Sequence, residues 1–346
     1  MQGSNWNIEA YRKRMNRRHA WIFLCFAALL LLSFIISMNT GFTRLSPIDT
    51  VRTLLGGGTD KENLVLFQFR LPRIVISILV GAGLALSGCI IQGVSRNALA
   101  DPGLLGINAG AGLFVVLFVM AWGAKTAVTI FALPFLALAG AGGAAVLIYL
   151  LAYKKEEGIS PLRLVLVGIA VQAGIGAAMT VLVLALDESQ FDFIVLWQAG
   201  SIWGSNWKFV VALLPWLLLL VPYAMMKAPV LDTLHLGDEI AGGLGTKVES
   251  ERRKLLAAAV ALAASSVAVS GSISFVGLIA PHLARRLVGT GHRLLLPACA
   301  LCGALLVSAS DTIGRLIVQP DEIPVGIVVA VVGAPYFLYL LARSRR

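Results

Sequence analysis

The chain has 346 residues, 58% of them hydrophobic and only 13% charged, with a mean hydropathy of +0.86. A soluble globular domain carries about 25% charged residues. This composition therefore excludes one and points to an all-α polytopic membrane protein, a single transmembrane domain over residues 1–346. The formal charge of +10 does not mark a nucleic-acid binder, because the charges gather at the ends of apolar runs and form no basic face.

Residues 1–19 are polar and basic, with Arg12, Lys13, Arg14, Arg17 and Arg18, and such a flank stays in the cytoplasm. The first apolar run, 20–38, is too long for a secretory leader and lacks a small-residue cleavage site, so it reads as a span. A polar loop over 39–68 ends at Arg70-Leu-Pro-Arg73. Span two covers 74–93, and the segment 95–103 interrupts the apolar pattern. Spans three, four and five cover 104–122, 127–153 and 162–186. A mixed polar and aromatic loop, 187–207, precedes span six at 209–226. A polar, glycine-punctuated island then occupies the loop 229–254. Spans seven to ten cover 255–270, 273–283, 294–308 and 325–341, with a polar stretch over 311–324 before the last. Span eight barely reaches the length a crossing needs.

Ten spans put both termini on one side. On that reading twenty Lys and Arg share the side of the termini and the island, against eight on the other, which places both termini and the island in the cytoplasm. Many of the 35 glycines lie within spans, where small residues let helix backbones approach closely in lipid. Pro102, Pro134 and Pro281 fit either tight bundle packing or breaks beside a pathway. Cys299-x-x-Cys302 has no second such pair and no nearby His, so it reads as packing and not as a metal or redox site.

The sequence shows little chemistry of its own. His282, next to Pro281 and before Arg285-Arg286, fits a proton relay or a structural role, and it lacks a carboxylate neighbour in sequence. Asp101, Asp187, Asp192 and Asp311 all fall at span edges, which argues against proton or sodium coupling. No G-x-x-x-x-G-K-[ST] is present, so energy has to arrive from a partner. The island is where a partner would act. It reads as a short helix pair, with Asp232 or Thr233 starting one turn and Asp238-Glu239 opening a second after Gly237. Gly242-Gly243-Leu244-Gly245 ends it, and a new helix runs from Glu249 into span seven. Leu234, Leu236, Ile240 and Leu244 form one apolar face, suited to a lipid surface or a protein groove; the acidic residues and glycines favour the groove.

The island stands as Leu234-His-Leu-Gly-Asp-Glu-Ile-Ala-Gly-Gly-Leu-Gly245 and resembles the coupling loop L-x-L-G-x-E-x-A-x-x-L-G of the iron-siderophore and cobalamin permease family of ABC importers. Four further motifs are similar to that family in the same order: Arg70-Leu-Pro-Arg73, the segment 96–106 with Ala98 for a Pro, the segment 271–282, and the segment 324–335. The resemblance implies a ten-span permease with no cofactor in this chain. ATP and Mg would be bound by two cytoplasmic ATPase subunits that receive the coupling helices. It further implies a second permease, like or unlike with unlike favoured, and an extracellular substrate-binding lipoprotein. It assigns coupling to Leu234, Leu236, Gly237, Asp238, Glu239, Ala241, Leu244 and Gly245, and docking of the binding protein to Arg70, Arg73 and Arg315. Arg70 and Arg73 also fit simple anchoring at head-groups. A path along spans five and eight is expected to involve Gln172, Met179, Gln198, Ser201, Pro281 and His282, with a gate near Ser160-Pro161. The loop Trp197–Trp207 is similar to that of Gram-positive siderophore members, so ferric siderophore is the expected cargo. Cobalamin or haem in the same fold, an ion-coupled secondary transporter and a membrane enzyme are the competing readings.

Overall fold

The computed structural model describes residues 2–41, 46–123, 127–154, 158–159, 161–202, 204–318 and 321–344. Helix α1 (Gln2–Asn39) leads to a short amphipathic α2 (Pro47–Leu54) and to α3 (Asp60–Asn63). A π-helical stretch, Leu64–Arg70, runs without a break from α3 into α4 (Leu71–Ser95). After a 3-10 turn at Pro102–Leu105 come α5 (Ile107–Trp122) and α6 (Ala127–Ala152). A two-residue hairpin pairs Tyr153–Lys154 with Gly158–Ile159. Then follow α7 (Pro161–Val183), α8 (Glu188–Gln198), α9 (Trp207–Met226), α10 (Ala228–His235) and α11 (Asp238–Gly243). The chain closes with α12 (Val248–Ser270), α13 (Val276–Val288), α14 (His292–Ile317) and α15 (Val325–Ser344).

The architecture is helical, and among the described residues seven helices are long and apolar enough to cross a membrane. Helices α5 and α15 are shorter apolar elements, and α13 has 13 residues, about 20 Å at 1.5 Å per residue against a hydrocarbon core of about 30 Å. Three boundaries differ from the sequence reading. The loop 39–68 contains α2, α3 and the π segment, because Thr59 and Glu62 form a reciprocal capping box that starts a helix early. The loop 187–207 contains α8, capped in the same way by Asp187 and Gln190. Helix α14 continues through Ile317, so Asp311 and Arg315 lie inside a helix and not beyond one.

Three helices form the centre. The apolar stretches of α4, α12 and α14 are 78%, 72% and 61% buried, whereas those of α1 and α7 are 17% buried. Glycines let the central helices touch: a Cβ on Gly81 would overlap the Gly303 carbonyl of α14, and one on Gly88 would overlap the Gly277 backbone of α13. Helix α4 therefore acts as the axis against which the two ends of the protein are arranged.

Candidate functional site

Helix α4 carries a charge cluster at each end. At its start, the Arg73 guanidinium meets Asp311 of α14 (Nε–Oδ1 2.9 Å, Nη2–Oδ1 2.8 Å) and Glu322 in the α14–α15 link (Nη1–Oε2 2.6 Å). Asp311 is shared with Arg315, at 3.1 Å. Arg315 also donates to the Ser37 and Thr40 carbonyls at the end of α1, 3.3 and 3.2 Å away, and to the Ser37 hydroxyl. Arg70 donates to the Met38 carbonyl.

The structure thus brings the three sequence-predicted docking arginines together, but it does not turn all three outward. Arg70 and Arg315 are buried, and their guanidiniums tie α1 to α4 and α14. Arg73 alone lines an open cavity of about 740 Å³, together with Glu322, Trp197 and Ser201. The carboxylate that sequence reasoning set at a span edge, Asp311, is buried within α14 and neutralised by two arginines, so the premise that every carboxylate sits at an edge is corrected.

At the other end, the island forms the expected helix pair. Gly237 separates α10 from α11 with φ +112°, a conformation that favours glycine. Helix α10 starts at Ala228, four residues earlier than Asp232. Asp238, the first residue of α11, accepts from Arg252 of α12 through both oxygens at 2.8 Å and from Arg96 at the end of α4 at 2.7 Å. Asp232 of α10 accepts from the His292 backbone N–H at 2.9 Å and contacts its ring Nδ1 at 2.6 Å, which ties α10 to the start of α14. Lys227 pairs with Glu251 of α12, a hydrogen bond that raises the Lys227 pKa above its ordinary value.

This pair of short helices has two faces. Leu231, Leu234 and Ala241 are buried against the bundle. Leu236, Ile240 and Leu244 are 57%, 55% and 66% exposed, and Glu239 is exposed beside them. Three large apolar side chains on a charged, latched helix pair make an anchor pattern for a protein groove. Gly245, with φ +84°, turns the chain out of α11 toward α12. Sequence reasoning missed the latches of Asp232 to His292 and of Asp238 to Arg96, because those partners lie 60 and 142 residues apart.

The residues expected along a path are scattered. Gln172 is half-buried on α7, and Met179 is buried with its thioether end beside Gly112 of α5. Gln198 is exposed at the end of α8, and Ser201 borders the 740 Å³ cavity. Pro281 is buried within α13, and the His282 ring stands edge-on to Tyr336 at 5.7 Å. Pro161 begins α7, and Ser160 lies outside the described residues. Asp101, between α4 and α5, abuts Gly277 of α13, and burial pushes its carboxyl up to about 6.

The profile of the FecCD transport family matches residues 29–343. The chain belongs to that family. It is 50% identical over 320 residues to the iron(3+)-hydroxamate import system permease protein FhuG of Bacillus subtilis, covering 91% of this chain and 95% of that protein. It is 45% identical over 333 residues to the Fe(3+)-citrate import system permease protein YfmE of the same organism, covering 96% and 98%. A solved metal-chelate type ABC transporter in an inward-facing conformation superimposes with a TM-score of 0.81 at 33% identity, covering 94% of this chain and 99% of that one. The chain is a multi-pass permease subunit of an ABC importer, and the ATPase is a separate subunit.

Proposed function

We propose that this permease moves a ferric siderophore inward across the cytoplasmic membrane as half of a permease pair. Two ATPase subunits drive it from the cytoplasm, and a substrate-binding protein feeds it from outside. The iron-chelate relatives at 45–50% identity over nearly the full chain support the cargo. The single observation that carries the coupling reading is the outward apolar face of Leu236, Ile240 and Leu244 on helices latched to α4, α12 and α14. In this reading Leu234 and Ala241 anchor the coupling helices, Gly237 and Gly245 shape them, and Asp238 and Glu239 begin the second. In this reading the seven long helices cross the membrane together with α5, α13 and α15, and the excess of Lys and Arg on the side of residues 1–19 and the loop 229–254 favours the cytoplasm for both termini.

Docking of the binding protein falls to Arg73. Its Nη1 holds Glu322, whose side chain is 29% exposed, and an acidic side chain on the partner replaces Glu322 there. Arg70 and Arg315 act behind it, keeping Arg73 and the end of α1 in place. The exposed glycines of α7, Gly174 and Gly176, have open space where a Cβ would stand and suit the close approach of the second permease, with Gln172 and the gate residues Ser160 and Pro161 beside the passage. Ser201 and Gln198 sit at its outer mouth, and Pro281 and His282 shape α13 next to it. Uptake of radiolabelled iron hydroxamate by cells lacking the native permease tests the cargo. Restored uptake that disappears when the ATPase partner is deleted is the expected result, and uptake of cobalamin or haem but not iron hydroxamate contradicts it.

A further inference from the structure

Helices α6 and α12 pack on each other and border a groove of about 350 Å³. Gly142 and Ala145 on α6 and Ala257 and Ala261 on α12 make the small part of its wall, and Leu164 of α7 and Trp216 of α9 add large apolar side chains. A Cβ on Gly142 would meet nothing within 4 Å, unlike Gly110 and Gly140, whose backbones touch where α5 packs on α6. Here small residues leave space instead of closing it. The groove extends from Leu138 to Tyr149 on α6 and from Arg253 to Ala264 on α12. Each stretch rises about 16 Å, close to half of a hydrocarbon core of about 30 Å, which is one leaflet.

The charge at its end identifies the occupant. Of the three consecutive bases that begin this part of α12, Arg252 holds Asp238 and Lys254 holds Glu251. Arg253 is exposed at the mouth of the groove and has no ion pair among the described residues. Tyr149 stands at the same end of α6, a residue type that settles at head-group level. An unclaimed cation and a tyrosine above a leaflet-long apolar slot match a phosphate with an acyl chain below it.

We propose that the α6–α12 groove is a binding site for one anionic phospholipid, with its phosphate on Arg253 and an acyl chain along Gly142, Ala145, Ala257 and Ala261. The bound chain fills the space left open beside Gly142. That the lipid comes from the cytoplasmic leaflet rests on the orientation proposed above, while the site itself does not.

The test is native mass spectrometry of the assembled transporter, equilibrated with equal amounts of palmitoyl-oleoyl phosphatidylglycerol and phosphatidylcholine. The wild-type complex retains phosphatidylglycerol over phosphatidylcholine by about fivefold, the gain expected of one basic residue near an anionic head-group. Arg253→Gln removes that preference and leaves the two lipids retained equally. Gly142→Leu, whose side chain enters open space and leaves the fold intact by thermal unfolding, lowers retention of both. No preference in the wild type overturns the proposal. So does an unchanged preference in R253Q, undiminished retention in G142L, or a photo-cross-link from position 142 to another polypeptide.

Discussion

The two ends of α4 are pinned by the same device, one aspartate shared between two arginines, and they differ in what surrounds it. At the start of α4, Asp311 holds Arg73 and Arg315 with 1% of its side chain exposed. At the other end, Asp238 holds Arg96 and Arg252 with 44% of its side chain exposed, although the Arg252 side chain is only 5% exposed. A buried pair is costly to break, because a charge is then stranded away from water, whereas an exposed pair is screened and exchanges readily with solvent. The same chemistry therefore gives a fixed clamp at one end and, at the other, a latch whose carboxylate is open to water.

Replacing Asp311 with Asn should have the largest effect. It takes the shared carboxylate from buried Arg315 and leaves Arg73 to Glu322, and should lower stability by about 3–5 kcal/mol, read as thermal unfolding in mild detergent. The loss should change little between low and high salt, because buried charges are poorly screened. A loss below about 1 kcal/mol would remove the distinction between clamp and latch.

Asp101 shows what a partly buried carboxylate does without an arginine. Its pKa is raised from 3.8 to about 6, chiefly by burial, and only the Gly103 N–H opposes the rise. A raised pKa means that the fold favours the protonated form. The favourable contribution is complete below the unfolded value of 3.8 and is lost as pH rises through about 6. Asp101→Asn keeps an acceptor for Gly103 and should stabilise the protein by about 2 kcal/mol above pH 6, with no gain at pH 4. A gain of equal size at both pH values would mean that charge is not the cause.

Asp238→Asn should cost less than Asp311→Asn, about 2 kcal/mol, because buried Arg252 keeps Glu249 at 3.8 Å, and high salt should shrink the share that comes from Arg96. Its functional effect should be the larger one, a several-fold drop in substrate-stimulated ATP hydrolysis, because α11 loses its ties to α4 and α12 at once. Unchanged hydrolysis together with unchanged transport would show that the latch transmits nothing.

The amount legible in the sequence also differs between the ends. The island could be read because its signals are local: Gly237 before Asp238-Glu239, and the glycines over 242–245, mark helix boundaries within a few residues. The packing glycines were legible for the same reason, although not which helices they join. The opposite cluster was not legible. Arg73 finds Asp311 and Glu322 at separations of 238 and 249 residues, and hydropathy ends span nine before the helix does. The burial of Arg70 and Arg315 depends on the carbonyls that close α1, which no motif encodes. Helix α8 was missed because its capping box lies within a stretch whose mixed polarity looks like a loop.

The central claim is that force enters through Leu236, Ile240 and Leu244. Ile240→Asp places a charge on that face without touching the buried side of α10 and α11. Pull-down of the ATPase partner from solubilised membranes, run beside thermal unfolding, tests this most directly. The account predicts a protein that unfolds like wild type and no longer retains the ATPase. Retention of the ATPase at wild-type levels, with iron uptake intact, would contradict it.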